Sequence, residues 1–397
     1  MLLRGAVMIQ ILKIEASGFR MLDDNFTINF VTEARINSDD ADALSEVFEV
    51  DKNLYAHRLI ALTGRNAAGK TTTLRLIRKV ISFMKTGRWL FNVDDFSDKE
   101  IKLKINFYKD GVIYIYMCNI IKNANNDFMI IGSPYCDITN ESLLFARYKD
   151  YAGKRYETKL KYFVDDTPST GLIDTGKIVF LCSQDLNAYN MSFYSSGHSF
   201  INESFFNYFN MFDFNVTSSI IRLLDESIEY IKYNSKDNVV RFKRFNESET
   251  KTSKEGVLSK LSNGTIKGIE LYANVINVLK TGGILLIDEI ENCFHKNLVN
   301  NIFFLIEDRK INKKNSMIIF TTHYFEILDA FNRRDSIFIL HKKDNKISIS
   351  NLYSDYNVRT ELLKSKQFNN NTFDTLLNYD ILMDVRRGIL NEISNHD

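Results

Sequence analysis

Cysteine is scarce in this chain: Cys118, Cys136, Cys182 and Cys293 stand far apart and form no CxxC pair. That spacing argues against a zinc knuckle or a disulfide framework and for reduced thiols in a cytoplasmic protein. Proline occurs twice, beside heavy use of asparagine, lysine, isoleucine and phenylalanine, a bias of A·T-rich coding and not of chemistry. Charge of one sign is missing too. The formal net charge is +1, so any attraction to nucleic acid must come from a local patch. No apolar run reaches membrane-spanning length, and MLLRGAVMIQIL lacks a small-residue cleavage site, so it reads as a strand and not as a signal peptide. No internal repeat and no sustained heptad is visible, which excludes a long coiled coil. What is present is a 45% hydrophobic, 13% aromatic composition, enough to bury the core of one large or two modest domains.

Against that background one stretch stands out. Gly64-Arg65-Asn66-Ala67-Ala68-Gly69-Lys70-Thr71 fits the phosphate-binding pattern GxxxxGK[ST] without a mismatch. Glycines let successive backbone N–H groups turn inward around a β-phosphate. Lys70 adds a point charge toward the β/γ oxygens, and the Thr71 hydroxyl is a Mg²⁺ ligand. Thr72 follows within the same turn. The apolar run Arg58–Leu62 reads as a buried strand entering the loop, and Leu74, Ile77, Ile81 and Met84 fall on one helical face after it. The sequence therefore implies a nucleoside triphosphate site with Mg²⁺.

Residues 8–30 read as two short strands and 33–53 as a loop or short helix. Ile101, Leu103, Ile105 and Phe107 alternate with polar residues, and Lys109-Asp110-Gly111 signals a hairpin turn. A further alternating stretch lies near Tyr156–Phe163. The run 178–183 reads as a strand ending at Gln184. Ile220, Leu224, Ile228 and Ile231 imply a helix, a polar loop follows around 246–256, and Ile269, Tyr272, Ile276 and Leu279 imply another helix. Ile284–Ile287 and Met317–Phe320 are wholly apolar, as strands covered on both faces are. Ser336–Leu340 and Lys346–Ser350 flank a hairpin turn, and the residues beyond are weakly patterned.

Three motifs extend the site. At the end of the first apolar strand stand Asp288, placed to hold Mg²⁺, and Glu289, placed to act as general base on the attacking water. In isolation such a pair is equally an exposed turn. At the end of the next strand comes Thr321-Thr322-His323, whose histidine could reach a γ-phosphate; alone, a strand-end histidine satisfied by backbone is the better reading. Leu261-Ser262-Asn263-Gly264-Thr265 precedes a helix, where Ser262 and the following amides form an anion site or simply an N-cap. Their joint order favours the functional reading of all three.

Taken together, the chain resembles an ABC-class ATPase, with LSNGT in the place of the LSGGQ signature. Asn66 matches the family's phosphate loop, while Ala67 stands where the family usually has glycine. The resemblance implies a head-to-tail homodimer, extensible to a higher oligomer, with ATP between one copy's loop and the other copy's Ser262 and Gly264. It also implies a magnesium-contacting glutamine, for which Gln184 is the candidate, an ordinary surface glutamine being the alternative. The gap from Lys70 to Leu261 is far longer than in transporter subunits and carries a β-rich insert. Without coiled coils, the compact RecF/OLD-like group remains, which ILKIEASGFRMLDDNFTINF and EIENCFHKNL, with His295, also resemble. The region from Arg333 to Arg359 is similar to stand-alone ATPases of phage-defence and abortive-infection systems.

The expected fold is thus α/β, a P-loop NTPase of ABC type with a mixed sheet, flanking helices and no long coiled coil. The expected organisation is an N-terminal ATPase part (1–95), an inserted β-rich and helical subdomain (96–260), the signature helix to the switch histidine and following hairpin (261–350), and a tail (351–397). No DxD cluster follows His323, so no nuclease is expected in this chain and an effector, nuclease or toxin, would be encoded separately. Nucleic acid is a possible partner and a membrane is not. Arg241, Lys243 and Arg244 interleave with Phe242 and Phe245, which suits either nucleic acid or a half-buried strand with a basic face. Lys313-Lys314 and Arg333-Arg334 read as solvated loop charges. The function expected is an ATP-driven switch, with a RecF-like DNA clamp as the alternative.

Overall fold

Strictly apolar runs and alternating runs make two different sheets in this molecule, and a single helix lies between them. The computed structural model describes residues 9–36, 44–86, 91–122, 136–147, 161–163, 191–195, 204–292, 294–357, 362–375 and 379–394. Strands β1 (Gln10–Ser17) and β2 (Phe26–Asn29) come first, then β3 (Val47–Asp51), β4 (Leu54–His57) and β5 (Leu59–Gly64), which leads to helix α1 (Lys70–Thr86). Next are β6 (Glu100–Lys109), β7 (Val112–Lys122), β8 (Cys136–Arg147), β9 (Lys161–Phe163) and β10 (Met191–Ser195). Helices α2 (Ser204–Met211) and α3 (Phe214–Leu224) precede β11 (Ile228–Asn234), β12 (Val239–Arg244) and β13 (Thr250–Thr252). Then follow α4 (Lys254–Leu258), α5 (Asn263–Thr281), β14 (Ile284–Asp288), α6 (Lys296–Glu307) and β15 (Met317–Thr322). The remainder holds β16 (Ile337–Lys343), β17 (Lys346–Asn351), α7 (Lys364–Asn369) and α8 (Tyr379–Ser394).

The central sheet runs β10-β14-β15-β5-β16-β17, parallel throughout except for the β16–β17 hairpin, and is therefore mixed. Its strands are buried on both faces, which is why they lack polar alternation. Leu285, Ile287, Ile318 and Phe320 face α5 and α6, where Val275, Val278, Val299 and Ile302 complete one core. Leu286, Ile319, Ile60 and Leu62 face the other way, toward Leu74, Ile77, Val80 and Ile81 of α1. The opposite side of α1 is covered by the antiparallel sheet β2-β1-β6-β7-β8-β9 through Ile14, Ile105 and Tyr116. Strands from both sides of residue 95 share that sheet, since β1 pairs with β6 from Gln10↔Tyr108 to Ser17↔Lys102. A third lobe packs α2, α3 and β11-β12-β13 against the first turns of α5, with Phe205, Ile231 and Val240 meeting Ile266 and Ile269. Among the described residues the longest helix is α5, with 19 residues, too short for a coiled coil, and no helix is long and apolar enough to cross a membrane.

Several local expectations change. The helix through Ile220 and Leu224 stops there, and Ile228 and Ile231 belong to β11 instead. Asp225 takes an extended conformation and its carboxylate accepts from the backbone N–H and hydroxyl of Ser227, closing a turn that redirects the chain. Residues 47–57 form the β3–β4 hairpin within and beyond the region read as a loop or short helix. Arg333 is not a solvated charge: it is buried and forks onto Asp335, with Nε to Oδ1 at 3.0 Å and Nη2 to Oδ2 at 2.5 Å. Lys313 and Lys314 are exposed as expected. In β12, Val240 and Phe242 are buried, while Arg241 and Lys243 pair with Glu249 at 3.9 Å and Glu229 at 2.8 Å, the arrangement of a half-buried strand with a basic outer face.

Candidate nucleotide-binding and hydrolysis site

The site lies at the carboxyl ends of β5, β15 and β14, in that spatial order. Parallel pairing aligns Thr63 with Thr322 and Phe320 with Ile287, so the three strands deliver the phosphate loop, the Thr-Thr-His run and the acidic pair to one edge. The loop closes tightly on its neighbours. A Cβ at Gly64 (φ 143°) would stand 2.4 Å from the Leu340 carbonyl oxygen, and one at Gly69 (φ 103°) 2.6 Å from Ile347. Only glycine fits either place. Ala67, where glycine would be the relaxed choice, holds a left-handed φ of 61°. Asn66 and Ala67 are exposed, Arg65, Gly69, Thr71 and Thr72 half-buried, Ala68 and Lys70 buried. Arg65 pairs with Asp374 at 2.6 Å.

Lys70 folds back onto its own loop. Its Nζ donates to the carbonyls of Gly64 at 2.8 Å and Arg65 at 2.9 Å. Burial holds the ammonium below its usual pKa, against the opposing charges of Glu291, Glu289 and Asp288. The Thr71 hydroxyl donates to Asp288, 3.0 Å from Oδ2 and 3.2 Å from Oδ1. One hydroxyl and one carboxylate at this separation fit Mg²⁺, which prefers few protein ligands and takes its remaining oxygens from phosphate and water.

Thr321 is the hub of the acidic pair. Its hydroxyl donates to Asp288 Oδ1 at 2.7 Å and accepts the Glu289 backbone N–H, also at 2.7 Å. Glu289 is held at a left-handed φ of 54°, with its carboxylate accepting from Asn292 Nδ2. That backbone turns the carboxylate out of the strand line to a half-buried position. Glu291 fixes the histidine: its Oε1 accepts the His323 backbone N–H at 2.8 Å and lies 2.6 Å from Nδ1. The imidazole is thereby oriented with Nε2 left for another partner. Neither Thr321 nor Glu291 carries a role in the motif reading. Their signal is indirect: a threonine before the strand-end histidine, and a second acid two residues after the general-base candidate.

Ser262 is the N-cap of α5. Its Oγ accepts from Thr265 N–H at 3.0 Å and shares a 2.8 Å hydrogen bond with Thr265 Oγ1. Ser262 and Asn263 are exposed and Gly264 half-buried, while Thr265 and Ile266 are buried, so only the leading edge of α5 faces solvent. His295 caps α6, its Nδ1 accepting from Asn297 N–H at 3.3 Å. Gln184 lies outside the described residues.

No curated protein matches the chain. Solved structures that resemble it include the SMC head domain from Thermotoga maritima, with a TM-score of 0.39 and 14% identity over 86% of this chain and 98% of that one. An SmcHead bound to the C-winged helix domain of ScpA aligns with a TM-score of 0.43 and 13% identity, over 86% of this chain and 97% of that chain. A family model matches residues 59–329, from the phosphate-loop strand past His323. With more than half its length matched, the chain belongs to the family described as AAA domain, putative AbiEii toxin, Type IV TA system, a group of P-loop ATPases.

Proposed function

We propose that the protein hydrolyses ATP and works as a dimeric switch whose opening and closing controls a separately encoded effector in bacterial defence against phage. The observation that carries the reading is the continuous set of contacts from Thr71 through Asp288 and Thr321 to Glu289. It joins a metal-ligand pair to a general-base candidate without an intervening gap. Lys70 exchanges its two loop carbonyls for phosphate oxygens when nucleotide enters, a cheap exchange because the ammonium is already buried. A bound Mg²⁺ supplies neutralisation of charge on the β- and γ-phosphate oxygens. Glu289 takes the proton of the attacking water. His323, held by Glu291, directs Nε2 toward the γ-phosphate.

The exposure of Ser262 and Asn263 at the start of α5 supports a shared site, in which Ser262 and Gly264 of a second copy close over the nucleotide. The family's description, a putative toxin of a type IV toxin–antitoxin system, supports an abortive-infection setting in the cytoplasm. In that setting the division into ATPase parts (1–95 and 261–350), an insert (96–260) and a tail (351–397) gives the insert and tail the task of meeting the effector.

The test is Glu289→Gln. ATP binding should persist, turnover should fall by a factor of about a hundred or more, and a dimer should accumulate with ATP in light scattering. Unchanged turnover would overturn the assignment.

A further inference from the structure

The amino end of β5, one strand length (about 20 Å) from the phosphate loop, opens on a cavity of about 880 Å³. This is the size range of small-molecule sites. Among the described residues its wall carries Arg35, Arg58, Arg309 and Lys313 against one carboxylate, Glu49. Arg35, Arg309 and Lys313 are exposed, whereas Arg58 is only 3% exposed.

Arg58 is incompletely satisfied. Nε donates to the Val47 carbonyl at 3.2 Å and Nη2 to Asn315 Oδ1 at 3.0 Å, but Nη1 is buried with no hydrogen-bond partner. The guanidinium sits 5.4 Å from the Phe48 ring centre, so its face is used while one of its edges is not. Burial pushes its pKa down to about 10, with the Arg309 charge adding to the effect and Glu307 opposing it. A cation taken out of water, beside a second cation and short of one partner, is costly unless an anion completes it. Guanidinium groups match phosphate oxygens geometrically, and a lysine adds a point charge. Tyr55, half-buried in the same wall, offers a flat apolar surface.

We propose that this cavity is a second ligand site, taking a small phosphorylated compound of nucleotide size whose phosphate is held by Arg58, Arg309 and Lys313. The site is separate from the phosphate loop and stands whether or not the chain hydrolyses ATP.

The experiment is calorimetric titration of inorganic pyrophosphate and of AMP into full-length Lys70→Ala protein, with Arg309→Ala/Lys313→Ala added in a second variant. Both replaced cations are exposed, so the second variant should fold, and its melting temperature checks this. Saturable binding that weakens at least tenfold when Arg309 and Lys313 are removed supports the site. Tighter binding of AMP than of pyrophosphate then identifies a nucleotide; equal or weaker binding of AMP identifies a simple phosphate. Binding unaffected by the double replacement would place the probe in the phosphate loop and overturn the proposal. So would no saturable binding of either probe, including the case in which only duplex DNA binds.

Discussion

Glu291 fixes the proposed switch histidine without any need to touch substrate itself. Its carboxylate holds both the backbone N–H and Nδ1 of His323, and it is almost wholly buried. Glu291→Ala frees the imidazole to rotate. Turnover should fall between about ten- and a hundredfold while the KM for ATP changes little, because orientation and not binding is lost. Glu291→Gln keeps an acceptor oxygen and should restore most of the rate. An alanine variant with normal kcat would leave Glu291 a structural acid only. Ala67 offers a test in the opposite direction. Its φ of 61° strains an L residue, and it is exposed, so the Cβ that glycine would remove touches little. Ala67→Gly should stabilise the fold, by about 1 kcal/mol at most once the greater entropy of an unfolded glycine is counted, and so raise the urea midpoint. A loss of stability would mean that the Cβ contributes packing that outweighs the strain.

At the level of elements, helix α5 has two tasks that must be separated. Ser262 caps it in the single chain, and the same exposed serine is the proposed contact with a second copy's nucleotide. Ser262→Ala should cost about 1 kcal/mol through loss of the cap, which makes reduced activity ambiguous. Ser262→Asp resolves this, since aspartate caps as well as serine but repels phosphate. The aspartate variant should melt near the wild type and yet lose ATP-dependent dimerisation in light scattering. Retained dimerisation would reduce Ser262 to a cap. The contrast also explains what could be read from the sequence. The placing of the phosphate loop, the Asp288-Glu289 pair and His323 at one edge is legible because each is a short local pattern on one strand end, and the sheet merely aligns them. Thr321 and Glu291 are not, because their roles arise from β14 and β15 lying side by side. Arg333 is misread for the same reason: its partner Asp335 is two residues away, but both are buried by a segment some three hundred positions earlier, where Glu33 and Ala34 donate to Asp335. Ile228 continues the helical spacing of α3 numerically and fails to extend it because Asp225 closes a turn first.

For the whole molecule, the segment around the β3–β4 hairpin is fastened to the loop before β16 by buried ionisable groups whose pH responses oppose each other. Glu46 accepts the backbone N–H groups of Asn332 and Arg333, yet burial dominates and raises its pKa to about 7. His57 is lowered to about 4 by burial, with the Arg333 charge adding to this and Asp335 opposing it. Between pH 4 and 6.5 the unfolded chain protonates His57 and the folded chain does not, so this group makes stability rise with pH across that window. Between about 4.5 and 7 the folded chain protonates Glu46 and the unfolded chain does not, so this group makes stability fall as pH rises. The two slopes overlap from 4.5 to 6.5 and largely cancel, each worth about 3 kcal/mol over its full window. Glu46→Gln removes one limb and leaves the other. Plotted as urea midpoint against pH, the variant should lose stability on acidification from 6.5 to 4.5 more steeply than the wild type does. Other carboxylates contribute equally to both curves and drop out of the difference. Parallel curves would mean that Glu46 ionises in the fold as it does in water, and that the hairpin is held there by a charged carboxylate instead of a protonated one.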